Sequence, residues 1–485
     1  MKKIIAAFLF LGPLSIWAQD REILKSNAIK SLDTQYDGYK KIAHQIWDFA
    51  EVGYKEVKST ELLQTTLKNG GFKVESGVAG MPTAFVATFG EGKPVIGILA
   101  EFDALPGLAH AAEPVKKPLA GKIAGHACGH HLFGTASVAA AIELRATMLK
   151  NNMKGTIKVF GTPAEEGGSG KVYMAREGLF EGVDVVMHWH PDQANSSNPV
   201  SSLAVISAKF RFKGIAAHSA GAPEKGRSAL DGVEAMDNMV NMMREHIPQE
   251  SRIHYVITEG GKAPNVVPDF AEVYYYVRNP RRDIVKDLFE RVVKCANGAA
   301  MGTETTVDYE VVGAAFELLP IKVLAQAMHT NLSKVGGVTY TPEEIAFGKT
   351  LQESFIGKNR PDIIAATKIQ PYKDDSYRPG GGSTDVGDVS WVVPTVGLRV
   401  ACWTAGTPSH SWQAVACGGT EIGTKGMLVA AKTLTLMGLD LLMDKNLIEQ
   451  ATADWKTTRG ADFKYVPLLG NRKPALDYRD NPTSD

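Results

Sequence analysis

The stretch Gly125-His126-Ala127-Cys128-Gly129-His130-His131 gathers three imidazoles and a thiol. Imidazole nitrogen and thiolate sulfur are donors that a borderline-soft divalent ion prefers, so the stretch reads as half of a metal site. The apolar run that follows, from Leu132 to Ala140, reads as a helix. A helix start offers unpaired N–H groups and the positive end of a dipole, which favours a thiolate at Cys128. Cys128 and His130 are too close in sequence to share one helix face, which places them on the turn entering it. A second patch is Pro163-Ala164-Glu165-Glu166-Gly167. Adjacent carboxylates on a turn point in different directions, so one can hold a metal ion while the other serves water as a general base. Further imidazoles stand at His188 and His190, at His218 and at His410. Any one of these would pass as a surface or core histidine, and the glutamate pair as a solvated turn. Jointly they coincide with strand ends, a loop cysteine and paired carboxylates. This donor set suits zinc, with manganese or cobalt where oxygen ligands dominate. Asp103 either orients a ligand imidazole or caps the next turn.

The elements that must position these groups follow from hydrophobic periodicity. Val95 to Ala100, Thr156 to Phe160 and Val183 to Trp189 are apolar runs alternating with helical patterns, which predicts a mostly parallel sheet covered on both faces. The candidate groups fall at or just past the carboxyl ends of those strands, where open α/β sheets carry their sites. Between residues 201 and 315 the pattern changes to β-α-β-β-α-β, a small split-βαβ sandwich with one exposed sheet face. The α/β pattern then resumes. The domains are therefore residues 20–200 and 316–485 for the catalytic part and 201–315 for an inserted lid. Asn27 to Glu51 reads as one helix, residues 336–379 as a long irregular region, and the tail after Asp444 as polar with a few aromatic anchors, ending in disorder.

The composition narrows the class. Fifty-three basic and fifty-three acidic residues cancel over 485 residues, which argues against a nucleic-acid or polybasic membrane partner. Residues 1–19 combine Met1-Lys2-Lys3, an apolar run and a small-residue exit near Ala18, as a secretory signal peptide does. The expectation is an exported protein, periplasmic in a Gram-negative cell and free of the membrane after cleavage. Four cysteines suggest no disulfide framework, and Cys402 and Cys417 either pair or stay free. The glycines at 380–382 lack the Lys-Ser/Thr ending of a phosphate loop, and no Gly-x-Ser-x-Gly elbow is present.

The motifs Glu101-Phe102-Asp103-Ala104-Leu105-Pro106, His126-Ala127-Cys128-Gly129-His130, Pro163-Ala164-Glu165-Glu166-Gly167, Gly214 to His218, Asn265-Val266-Val267-Pro268 and the late His410 occur in one order along the chain. In this the sequence resembles the aminoacylase/carboxypeptidase family of dinuclear metallohydrolases, in its amidohydrolase branch. The resemblance implies a zinc-peptidase-like α/β domain with a ferredoxin-like lid that also makes a homodimer. It implies that Cys128, His130, Glu166, His190 and His410 hold two divalent ions, zinc or manganese, with His188 competing for the slot of His190. It implies Glu165 as general base and His218 of the lid as oxyanion donor, often reaching the partner subunit's site. Asn265 would hold substrate, and Arg227 and Arg278 are candidates for a substrate carboxylate, each equally readable as a surface arginine. The expected substrate is a small N-acyl or N-aroyl amino acid, p-aminobenzoyl-glutamate among the candidates. A dipeptidase or carboxypeptidase of the same family is the alternative, as is a non-catalytic exported binding protein.

Overall fold

The computed structural model describes residues 12–357, 360–376, 378 and 380–480, with backbone alone at 12–19. A six-stranded sheet runs in the order Lys73–Ser76, Phe85–Glu91, Gly155–Gly161, Val95–Ala100, Val185–Asp192, Thr395–Ala401. The last four strands are parallel and the first two antiparallel. Val95–Ala100 and Val185–Asp192 lie inside the sheet with both faces covered, which is why they read as near-continuous apolar runs. Two helices, His130–Lys150 and Glu421–Met443, are long and apolar enough to cross a membrane, yet both are mostly buried here and pack on each other. They are core helices, apolar nearly all round because protein surrounds them. The fold is the α/β sheet with a ferredoxin-like insertion that the motif order predicts.

The insertion is a four-stranded antiparallel sheet ordered Thr306–Ala315, Ala204–Lys213, Phe270–Asn279, Arg252–Glu259. Helices Ala229–Met243 and Arg282–Gly302 cover one face, where Phe210, Phe212, Val273 and Tyr275 point. The opposite face is not wholly exposed as expected. Ser169 Oγ accepts the Ala314 N–H at 3.1 Å, and a Cβ on Gly167 would come within 3.2 Å of the Tyr276 hydroxyl. The alternation that buries Tyr275 under the helices turns Tyr276 onto the loop of the paired glutamates.

Two expectations are corrected, and a third gains detail. The helix expected over residues 27–51 is two, Gly12–Thr34 and Tyr36–Phe49, parted at Gln35. The region expected to be irregular contains Pro342–Gln352, started by a capping box of Thr341 and Glu344 with proline in the first turn. The tail after Asp444 forms the helix Lys445–Arg459 and then packs back on the body of the protein. There Tyr465 donates to Asp388 at 2.7 Å, Arg472 pairs with Glu310 at 2.6 Å, and the Tyr478 hydroxyl donates to the Glu166 carbonyl at 3.1 Å. The aromatic anchors expected in the tail make two of these contacts, and its end, residues 481–485, lies outside the described residues. Of the expected leader, residues 1–11 lie outside the described residues. Cys402 and Cys417 are buried and free.

Candidate metal centre

Four loops converge where the parallel strands end. Just past Val95–Ala100, the buried Asp103 places Oδ1 2.8 Å from His130 Nδ1, while its Oδ2 accepts the Glu166 N–H at 2.9 Å. A ring held by Nδ1–H presents the lone pair of Nε2 on its other side. Gly129 precedes the His130 helix with φ of 80°, and a Cβ there would come within 2.8 Å of Pro191. Glycine thus lets the turn press against the end of the Val185–Asp192 strand. Cys128 Sγ thereby sits 3.4 Å from His190 Nε2, whose Nδ1 donates to the Pro191 carbonyl at 2.7 Å. His410, also left-handed at φ 55°, donates its backbone N–H to the Ala127 carbonyl at 3.0 Å. Its Nε2 stands 3.2 Å from Glu166 Oε1.

The paired glutamates lie between two more left-handed non-glycine residues, Ala164 at φ 56° and Ser169 at φ 60°. Such conformations cost of order 1–3 kcal/mol each and persist where surrounding contacts impose them. Here the Ala164 N–H donates to the buried Glu56 at 2.8 Å. The donor atoms fall into three groups: Cys128, His130 and His190; Cys128, Glu166 and His410; His130, Glu165 and Glu166. Within each group every atom lies within 4.8 Å of the others.

Burial sets the electrostatics. It pushes the Cys128 thiol well up, and the charge of Glu166 adds to this, so the helix entry alone does not make the thiolate expected there. Burial also holds His190 well below the usual histidine range, helped by Arg399 and His130, so its ring is neutral. The Glu165 carboxyl is raised well above its ordinary value by burial and by Glu101 and Glu166. Burial alone would raise Glu166, but the contact with His410 and the charge of His130 bring it below the ordinary value.

These residues fit a pair of divalent ions. His130 Nε2 and Glu166 Oε1 are buried without a hydrogen bond. A thiolate at Cys128 needs a neighbouring cation, and the other donors are imidazole nitrogens and carboxylate oxygens. Ligands about 2.0–2.3 Å from a shared ion stand roughly 3–3.5 Å apart, which the Cys128–His190 and Glu166–His410 separations match.

Other predicted residues lie apart from this cluster. His188 is one strand step away, its ring filling the notch at Gly397, where a Cβ would come within 2.3 Å of Nε2. Burial lowers its pKa to about 3. His126 and His131 turn Nε2 to the Ile46 and Gly418 carbonyls, each at 3.0 Å, and so fix the helix entry. His218 and Asn265 stand exposed on two neighbouring lid loops, bridged where the Asn265 carbonyl accepts the Ser219 N–H at 3.1 Å. The Arg227 guanidinium is engaged on the lid by Glu304 at 2.5 Å and by the Gly226 carbonyl at 2.7 Å. Arg278 lies over the Tyr276 ring with its Nε unpartnered. Three features have no role in the expectations drawn from the sequence. Glu101 sits two residues before Asp103 and signals itself only as a carboxylate ending an apolar strand. Lys171 and Tyr478-Arg479 carry no motif at all, though Arg479 and Tyr478 both contact the Glu166 carbonyl.

Residues 202–304 match the family described as the peptidase dimerisation domain. The chain is 39% identical over 472 residues to one of the subunits of the p-aminobenzoyl-glutamate hydrolase of Escherichia coli (strain K12), an alignment covering 92% of this chain and 97% of that one. It is 28% identical over 453 residues to the Xaa-Arg dipeptidase of Mus musculus, covering 90% and 94%. Among solved structures it is similar to a Bacillus subtilis dinuclear metal-binding peptidase from the M20 family. That match has a TM-score of 0.55 and 16% identity, covering 85% of this chain and 99% of the other.

Proposed function

Because this chain belongs to the M20 family of peptidases and amidohydrolases, we propose that it hydrolyses the amide bond of N-aroyl or N-acyl amino acids, with p-aminobenzoyl-glutamate as the first substrate to test. The observation that carries the reading is Glu165, half-buried within the donor cluster with its carboxyl raised. Binding alone needs no second carboxylate there. Cys128, His130, Glu166, His190 and His410 would hold two divalent ions, zinc or manganese, which when bound polarise the amide carbonyl and acidify water. Glu165 takes the proton from the attacking water and returns it to the nitrogen of the leaving amino acid, a role suited to a carboxylate whose pKa burial has lifted. Asp103 keeps His130 in the tautomer that offers Nε2. Arg278, with an unpartnered Nε, pairs with a substrate carboxylate.

His218 and Asn265 act from the lid of the partner subunit in a homodimer, His218 donating to the oxyanion. Their exposure on two bridged lid loops, outside this chain's own donor cluster, supports that reading. So does the lid's edge strand Arg252–Glu259, which exposes Val256 and Ile257. The leader-like residues 1–19 support export, to the periplasm of a Gram-negative cell.

Glu165→Gln is expected to lower kcat by about a hundred- to ten-thousand-fold with metal content unchanged. Near-normal turnover would remove Glu165 from its role. Assays of aroyl-glutamates beside free dipeptides, read by product mass, separate this function from a dipeptidase.

A further inference from the structure

The lid joins the rest of the chain through two short crossings, residues 201–203 and 316–319, which lie side by side. The Leu318 N–H donates to Ser202 Oγ at 2.9 Å, and Ser201 Oγ donates to the Leu318 carbonyl at 2.7 Å. A body held by two adjacent strands can turn about them, because a few backbone angles absorb the rotation. Whatever opposes that turn has to grip the lid away from the crossings.

The tail grips it twice. Near the crossings, Phe463 joins a stack around Arg282, the first residue of the lid helix Arg282–Gly302. The Arg282 guanidinium lies 3.6 Å from the centre of the Trp391 ring and 5.2 Å from that of Phe463, and it pairs with Glu317 at 2.6 Å. Farther out, Arg472 Nη2 holds Glu310 Oε1 at 2.6 Å. Glu310 stands five residues before Ala315, where its strand ends. At about 3.3 Å per residue that is roughly 15 Å from the crossing, so the contact acts on a long lever. The lid's own bond to the glutamate loop, from the Ala314 N–H to Ser169, lies beside the crossing and has little leverage.

The same stretch of tail is fixed to the catalytic part. Arg176 donates to the Arg472 carbonyl at 2.6 Å, and the Tyr173 hydroxyl to the Lys473 carbonyl at 3.2 Å. Both donors belong to the short helix Gly170–Arg176 that follows the glutamate loop. Arg472 therefore holds the lid with its side chain and the catalytic part with its carbonyl.

We propose that residues 460–480 are a strap that fixes the angle of the lid, with Arg472 as its positioning residue. The lid carries His218 and Asn265, so the strap sets where those two groups stand. That consequence rests on the hydrolase reading above, whereas the strap itself does not.

The test is hydrogen–deuterium exchange of the full-length protein, read by mass spectrometry at peptides covering the crossings. The Phe316 and Leu319 N–H groups donate to Asp388 at 2.8 Å and Ser390 at 2.9 Å, both in the catalytic part, so they exchange when the lid turns. Arg472→Ala should speed exchange there about three- to tenfold, the range expected for loss of a partly exposed ion pair with its hydrogen bond. The lid strand Ala204–Lys213 and the catalytic strand Val95–Ala100 should stay at their wild-type rates, and kcat for an aroyl-glutamate should fall. Arg472→Lys should recover most of both effects. Glu310→Gln cuts the same pair from the lid side and should reproduce the pattern, which covers the case of an Arg472→Ala tail that fails to fold. Crossings that exchange at the wild-type rate in both variants overturn the strap, whatever happens to turnover, and leave the hydrolase reading standing. Faster exchange spread evenly over the lid and catalytic strands also overturns it, since that marks a general loss of stability. A wild type that cleaves neither aroyl-glutamates nor dipeptides removes the hydrolase reading, and the exchange rates still decide the strap.

Discussion

At the scale of single residues, the site is built from atoms whose second valence is already committed. His130 is tied by Asp103, and His190 by the Pro191 carbonyl, so each ring has one nitrogen left to offer. Asp103→Asn should therefore weaken metal binding by about 10–100-fold without unfolding the protein, measured by metal titration beside a thermal melt. Full affinity would show that the ring is oriented by packing alone. Arg278→Ala should raise KM for an aroyl-glutamate while leaving kcat nearly unchanged, since a carboxylate grip made equally in ground and transition states acts on binding. A fall in kcat at constant KM would place Arg278 elsewhere in the reaction. The cysteine, the histidines and the glutamate pair were legible in the sequence because few other reasons bring those residue types to strand ends. The ion pair of Glu101 with Lys171 was not, since its two members stand 70 positions apart by residue number.

At the scale of elements, the site depends on how closely its turns approach one another. Gly129→Ala meets both a left-handed φ and the Pro191 ring, and should cost about 1–3 kcal/mol together with loss of metal affinity, checked by melting and titration. An unperturbed variant would mean the turn has slack that the distances do not suggest. The core strands and the split-βαβ lid were readable because apolar runs and alternation survive burial unambiguously. The Pro342–Gln352 helix was missed although Thr341-Pro342-Glu343-Glu344 spells its start, because its apolar stripe is short and weak. The tail's aromatic anchors were read, but where they attach was not. Tyr478 and Arg479 bind a backbone carbonyl, and a carbonyl leaves no trace in a sequence. Arg479→Ala should lower turnover while moving the melting temperature little, because the residue braces the glutamate loop and not the core.

At the scale of the molecule, the interior holds carboxyl groups whose pKa values lie above their ordinary range. Burial is the chief cause, raising Asp388 to about 7, Glu56 to about 8 and Asp237 to about 6. A group raised in this way binds its proton more tightly folded than unfolded. For Asp388 the stabilisation is complete below its unfolded value of 3.8 and is lost as pH climbs through about 7, up to about 4 kcal/mol. The melting temperature should fall between pH 5 and 8, and Asp388→Asn should flatten that fall; a profile rising across the same window would contradict it. Asp103, depressed to about 2 despite burial because His130 holds its charge, works in the opposite direction and only at strongly acid pH. The tail also bears on how the protein is made. The contact from Tyr478 to the Glu166 carbonyl spans 312 positions. At roughly 5–20 residues per second, a ribosome needs about 15 to 60 s to travel that distance. During that interval the nascent chain carries its glutamate loop without the brace that holds it, so competence for catalysis comes as a late event of synthesis.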